Sequence, residues 1–367
     1  MRLGFLVPRC TPENSHGRYV IELARRLAPR HELVICAGAF APELGTVARL
    51  RFVPVPNRPA IARLAALWAA SRLVVSRRRF DLIHTQGGDA PVGDVVTAQF
   101  CNAAMKTVAD LRPSVVRQLN AFLGTAAERY CMTKPSTRAV IALSEQVRRD
   151  VERYYGVHPG RICVVPHGVD AERFHPRNQN RWRDRTRARL GFGAEEFIVA
   201  FIGGDYRRKG LLTLLDAAGF VRAPIRVLAV GVRPNAELAR FAPGRVTFVD
   251  PTPDVTPYYA AADCFALPTR YDTFSLATLE AMASGLPAIV SREAGVSEYL
   301  TDGVDALLLA NPDDVDGLAG HLGRLATDHD WRAQLGCGAR ATAERFTWDR
   351  VVDQTLAVYQ RVLDERR

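Results

Sequence analysis

The sequence predicts an α/β protein of two domains, each a parallel sheet covered by helices on both faces. Three observations carry this expectation. The chain has 367 residues, enough for two domains of roughly 100–200 residues each. Short apolar runs alternate with helical stretches, as parallel strands buried on both faces require. The alternation stops at residues 170–185 (DAERFHPRNQNRWRDR), which are polar and aperiodic, and then restarts. That segment reads as a linker.

Before the linker the expected strands are 3–7, 32–36, 50–55, 81–84, 95–98, 140–143 and 162–165. Between the first two, residues 18–27 place Val20, Leu23, Ala24 and Leu27 at helical spacing. After the linker the expected strands are 197–202, 225–230, 246–249, 264–267, 288–290 and 306–309. The last segment, 348–363, carries Val351, Val352, Leu356, Val358, Tyr359, Val362 and Leu363 on one helical face.

Composition narrows the class. Apolar residues make up 48% and charged residues 24%, ordinary for a globular protein. Seven cysteines are scattered without a CxxC pair, which points to reduced thiols in a cytosol and to neither a disulfide frame nor a zinc site. The opening MRLGFLVPRC reads as a first strand and not a signal peptide. No run of 18 uncharged apolar residues exists, so no membrane span is expected. The net charge of +10 is uneven: residues 1–180 carry +12 and the remainder −2. The basic half suits an anionic partner such as a membrane surface or phosphorylated glycan; a solvated arginine-rich surface is the plain alternative.

Residues 264–291 (CFALPTRYDTFSLATLEAMASGLPAIVS) hold the most informative pattern. An apolar strand runs into a loop, and a helix is expected over about 275–284. Gly285 suits a left-handed stop, with Pro287 beyond it. A helix starting just after a parallel strand aims free N–H groups and a positive dipole end at the sheet's carboxyl edge, an anion site. The amides of Phe274, Ser275 and Leu276 are therefore candidate phosphate donors. Asp272 precedes the helix and Glu280 lies about one and a half turns into it. Their paired oxygens suit vicinal hydroxyls of a ribose or a sugar. Solvated acids flanking a helix start are the bland alternative.

Residues 197–210 (FIVAFIGGDYRRKG) end a buried strand in Gly203-Gly204 and follow it with Arg207, Arg208 and Lys209. Glycine permits close backbone approach, and the cations offer charge to a diphosphate. A solvated basic turn is the alternative. Two Asp-x-Asp matches, at 314–316 and 328–330, read as solvated turns at late helices, and no metal site is expected.

This constellation resembles the family 4 glycosyltransferases, whose hallmark is two acidic residues with seven between them and then a Gly-Leu-Pro turn. Asp272 and Glu280 have that spacing, with Asp where the family usually has Glu. The stretch 164–174 (VVPHGVDAERF) resembles the family's interdomain segment, where His167 is read as structural. The resemblance covers nearly the whole chain and is strongest over 160–310. It implies a GT-B fold: two Rossmann-like β/α/β domains facing each other across a cleft, 1–170 on the acceptor side and 171–347 on the nucleotide-sugar side, with a helix at 348–367 crossing back to the first.

It further implies a retaining, metal-independent transfer of a sugar from a nucleotide donor, with UDP-hexose expected, to a glycan or lipid-linked acceptor of cell-envelope or lipopolysaccharide synthesis. No metal or other cofactor and no nucleic-acid partner is expected. Asp272, Arg208 and Lys209 take the catalytic positions, Arg208 being preferred to Arg207. Gly17, Gly204, Arg208, Lys209, Phe274 to Leu276 and Glu280 take the donor positions, with Glu280 on the ribose. On the acceptor side, His16 (or phosphate), His84, Asp89 and Gln99 are candidates. Gln99 stands where relatives often carry a histidine. A nucleotide-sugar epimerase and a non-catalytic binding module of the same fold are the rival readings.

Residues 114–132 place Val115, Leu119, Phe122, Leu123, Ala126 and Tyr130 on one helical face, with basic residues including Arg112 nearby. Such a stripe either lies on an anionic membrane at the inner face of the cytoplasmic membrane or, as is commoner, packs on its own sheet.

Overall fold

The structure is a computed structural model, and it describes residues 1–12, 15–56, 60–74, 79–108, 115–241 and 244–366. The chain divides into two compact units, Met1–Pro166 with Trp348–Arg367, and His167–Thr347.

The first unit is a seven-stranded sheet. Its strands are β1 (Arg2–Leu6), β2 (Glu32–Ala37), β3 (Arg49–Phe52), β4 (Leu82–Gln86), β5 (Val95–Ala98), β6 (Ala139–Ala142) and β7 (Ile162–Val164). The order is β3-β2-β1-β4-β5-β6-β7, parallel at every pairing. Alternation along β1 sends Leu3 and Phe5 to one face and Leu6 to the other. The first face is covered by α1 (Ser15–Leu27) and α12 (Trp348–Asp364), which contribute Leu23, Leu27, Trp348, Val352 and Tyr359 to one core. On the second face, α2 (Ala60–Val74) adds Leu67 to Leu6, Val34 and Ile83. The end of α12 is pinned by Arg366, which donates to the Asp81 carbonyl at 2.7 Å and pairs with Asp94 at 2.5 Å.

Two more helices complete the first unit's relevant edge, α3 (Asn102–Val108) and α4 (Val115–Thr133). The apolar stripe expected to pack on the sheet does not: Leu119, Phe122 and Tyr130 are exposed, Phe122 to 63%. The buried face of α4 is instead Ala127, Glu128, Cys131 and Met132. Residues 112 and 114, and the side chains of Val115 and Arg117, lie outside the described residues. All seven cysteines are free. Among the described residues no helix is long and apolar enough to cross a membrane.

The second unit repeats the plan with six strands: β8 (Phe197–Ile202), β9 (Ile225–Val230), β10 (Val246–Val249), β11 (Cys264–Leu267), β12 (Ala288–Ser291) and β13 (Leu307–Leu309). The order is β10-β9-β8-β11-β12-β13, again parallel. Here the expected linker is corrected. Residues Asn178–Leu190 form a helix, α6, closed by Gly191 in the left-handed region at φ 67°. Its inward face carries charge in place of apolar groups, so it shows no hydrophobic period. Arg183 and Arg187 clamp Asp263 at 2.5 and 2.6 Å, and Asp263 also accepts from the Ile198 amide at 2.7 Å.

Candidate functional site

In both sheets the strand order reverses beside the first strand of the unit, between β1 and β4 and between β8 and β11. The loops leaving those strands diverge at the carboxyl edge, the position where open α/β sheets bind ligands.

In the second unit the loops after β8 and β11 are stitched together. The Arg208 carbonyl accepts from the Arg270 amide at 2.8 Å and from the Thr269 hydroxyl at 3.2 Å. The Arg207 carbonyl accepts from the Arg270 guanidinium at 2.8 Å. Close approach demands glycine at two places. Gly210, at φ +79°, starts α7 (Leu211–Phe220), and a Cβ there would lie 1.9 Å from the Pro268 carbonyl oxygen. At Gly203 a Cβ would meet the Lys209 side chain at 2.6 Å, so the absent side chain lets Lys209 lie across the strand end. Gly204 is less constrained; its nearest neighbour would be 3.6 Å away.

This stitching brings the expected donor residues together. Lys209 Nζ lies 3.5 Å from Asp272 Oδ2, both side chains largely buried. Arg208 is held by Asp205 at 2.8 Å and donates to the Tyr271 carbonyl. The backbone of Asp272 is fixed from the next loop, donating to the Glu293 carbonyl at 3.0 Å and accepting from the Gly295 amide at 2.8 Å.

Ser275, at φ 77°, is the only non-glycine described with positive φ. It caps α9 (Leu276–Ala283), its hydroxyl accepting from the Thr278 amide at 3.4 Å. Backbone strain of this kind gathers at ligand sites. The amides of Ser275 and Leu276 have no acceptor among the described residues and remain open at the helix start. Phe274 is a correction: its amide faces Asp272 Oδ1 at 3.3 Å and is not open to an anion. Its ring anchors the loop instead, packed with His167, Tyr299 and Phe346 at centroid distances of 5.7 to 6.1 Å.

Glu280 is buried on α9, five residues past the cap and thus about 7 Å further along the axis. Its Oε2 accepts from the Tyr259 hydroxyl at 3.1 Å. That tyrosine, on α8 (Thr256–Ala261), also donates to the Ala277 carbonyl at 2.9 Å. Both Asp-x-Asp matches are helix caps. Asp314 accepts from the Gly317 amide at 2.9 Å and Asp328 from the Trp331 amide at 3.0 Å.

In the first unit a cavity of about 240 Å³ opens at the carboxyl edge, lined by His16, Asp89 and Gln99 among others. His16 sits in the first turn of α1, where a loop was expected, and its Nδ1 lies 3.1 Å from Asp89 Oδ2. Gln99 donates to Gln86 Oε1 at 3.0 Å. Gly17 has a local reason to be glycine: a Cβ would meet the Arg9 carbonyl oxygen at 2.5 Å.

His84 is a correction. Strand β4 runs on to Gln86, which puts His84 inside the sheet and not at its edge. The ring is 1% exposed, and its two nitrogens lie 2.7 Å from the Tyr359 hydroxyl and 2.6 Å from the Thr97 hydroxyl. Burial depresses its pKa to about 3. It belongs to the core and not to a ligand pocket.

Sequence reasoning missed Glu128. It lines the cavity at 5% exposure and accepts from Asn102 twice, at 2.9 Å from the amide and 2.6 Å from the side chain, and from the Tyr155 hydroxyl. Burial raises its carboxyl to about 7. No local signal marked it: an acid off the apolar stripe of α4 reads as solvent-facing, whereas Leu119, Phe122 and Tyr130 of that stripe are the exposed ones.

Comparison with known proteins agrees with this layout. Residues 16–173 match the model of glycosyltransferase family 4 and residues 196–328 that of glycosyl transferases group 1. A D-inositol 3-phosphate glycosyltransferase of Corynebacterium urealyticum is 33% identical over 229 residues, 58% of this chain and 54% of that one, so the match spans about half the relative's length. The crystal structure of WaaG, a glycosyltransferase involved in lipopolysaccharide biosynthesis, superposes with a TM-score of 0.81 over 97% of this chain and 98% of that one, at 22% identity. Anabaena HepE, solved with UDP and glucose, gives 0.76 over 98% and 99%, at 19% identity. These likenesses show the GT-B fold. With family models matching both units, the chain belongs to the family 4 glycosyltransferases.

Proposed function

We propose that the protein is a retaining, metal-independent glycosyltransferase that moves a hexose from UDP-hexose to a glycan or lipid-linked glycan of the cell envelope, as in lipopolysaccharide synthesis. One observation carries the donor side: Arg208, Lys209, Asp272 and the open start of α9 share one pair of interlocked loops at the strand-order reversal. Lys209, Arg208 and the amides of Ser275 and Leu276 hold the diphosphate and offset the charge that grows on it as the glycosidic bond breaks, the work a metal ion does elsewhere. Asp272 orients the sugar hydroxyls and Glu280 accepts from the ribose. The acceptor hydroxyl attacks the anomeric carbon and its proton passes to the departing phosphate, so no protein base is required. The HepE complex with UDP and glucose supports the choice of UDP and hexose.

The first unit holds the acceptor. The basic half of the chain and the exposed Leu119, Phe122 and Tyr130 on α4 support a peripheral contact with an anionic inner membrane face, and the seven free thiols suit the cytoplasm. The test is a thermal-shift panel of UDP-, GDP-, ADP- and dTDP-sugars with and without chelator, followed by product analysis by NMR. A shift with UDP-hexose that survives chelation, and a product of unchanged anomeric configuration, is expected. A product formed from the nucleotide-sugar alone with an inverted ring carbon would make the protein an epimerase. Nucleotide binding without transfer to any glycan would make it a binding module.

A further inference from the structure

The cavity of the first unit has a chemistry of its own. Its polar lining includes His16, Arg63, Asp89, Gln99, Asn102, Asn120 and Glu128. At about 240 Å³ it falls below the roughly 300–1,000 Å³ of pockets that enclose drug-sized ligands. That is room for one ring and not for two. The groups suit hydroxyls, which both donate and accept. The carbonyl oxygen of the Asn120 side chain is buried and has no partner among the described residues, and neither has the side-chain nitrogen of Gln86, whose side-chain oxygen accepts from Gln99.

The charge balance is unusual for a chain whose first half is so basic. Among the described residues that line it are two carboxylates, Asp89 and Glu128, and one arginine, Arg63, which is half-buried. Asp89 is bound to His16. Glu128 is rigid, with three donors from Asn102 and Tyr155 upon it. We infer that this cavity seats the terminal ring of the acceptor as an uncharged polyol, and that Asp89 and Glu128 make it refuse a ring bearing a phosphate. The inference rests on the glycosyl-transfer reading and deepens it. Above about pH 8, where Glu128 is ionised as well as Asp89, an anion entering would stand beside two like charges in a partly dry pocket, which is a strongly discriminating arrangement. Burial has already raised Glu128 to about 7, with Asp89 adding to the rise and His16 opposing it, so the pocket tolerates its own negative charge poorly. Any anionic portion of the acceptor then belongs outside this cavity.

The test uses the full chain with UDP present, at about pH 8 where Glu128 is ionised, and titrates it calorimetrically with methyl glucoside, methyl galactoside and myo-inositol, each against its monophosphate. At least one neutral ring should bind, and its phosphate at least about tenfold more weakly. Glu128→Gln, which keeps the shape, and Asp89→Asn should each narrow that ratio threefold or more. Should Glu128→Gln fail to fold, Asp89→Asn decides alone. A phosphorylated ring binding as tightly as its neutral form overturns the inference. So does a ratio unchanged in the folded variants, or the absence of any ring binding while UDP still binds. Loss of UDP binding in the native chain would instead strike the donor reading.

Discussion

Lys209 and Asp272 come from loops more than sixty residues apart, yet Nζ and Oδ2 lie 3.5 Å from each other. Each side chain limits the other: the cation keeps the carboxylate tolerable beside a pyrophosphate, and the carboxylate keeps the ammonium in place. Lys209→Met should therefore lower kcat by about 100-fold, the usual scale for losing one preorganised charge. Lys209→Met with Asp272→Asn should lose less than the two single changes multiplied, because the second removes a carboxylate left unpaired. Steady-state kinetics of the four proteins checks this.

Glu280 makes a separable prediction. If it accepts from the ribose, Glu280→Gln weakens UDP binding by about tenfold or more, as expected for loss of a charge-assisted hydrogen bond. The same variant should bind UDP and 2′-deoxy-UDP about equally, whereas the native chain prefers the ribonucleotide. Calorimetry on both ligands reads the difference.

Much of this layout was legible in the sequence, for reasons that also explain the failures. Strands β5, β8 and β11 begin and end where the apolar runs do, because a strand buried on both faces shows its limits in composition alone. Gly285, at φ +78°, stops α9 as its position implied. Helix α6 was illegible because the residues it turns inward are Thr186, Arg187 and the partly buried Arg183, and both arginines pair with Asp263, 76 and 80 positions away, which no local pattern reveals. His84 misled for a related reason: two residues more of strand turn an edge histidine into a core one. Glu128 escaped notice because its partners, Asn102 and Tyr155, come from distant segments.

His84 gives the chain an acid-labile core. Its folded pKa is about 3 against an ordinary 6.5, so below pH 6.5 the unfolded chain binds a proton that the folded one refuses. Stability attributable to this group is whole above pH 6.5 and declines as pH falls towards 3, by on the order of 5 kcal/mol in full. Urea unfolding of the native chain between pH 7 and 4 should show the decline, and His84→Asn should flatten it while starting from a lower stability.

Gly210→Ala should be poorly tolerated. The new methyl would meet a backbone oxygen at 1.9 Å in a left-handed conformation, and the loop after β11 cannot withdraw without breaking its bonds to Arg208. A loss on the order of 3 kcal/mol is expected. Thermal unfolding measures it, and any folded fraction should bind UDP weakly because the two loops no longer register.

The placement of α12 bears on how the chain comes to be made. Its tryptophan, valines and tyrosine fill the core of a unit whose strands all precede the second unit in the chain. During synthesis the leading sheet must wait, with one face covered by α1 but not yet by α12, until the intervening unit has emerged. Nascent molecules should thus expose a greasy β surface for tens of seconds, and chaperone dependence should follow the arrival of Trp348 and Tyr359 at the exit of the ribosome.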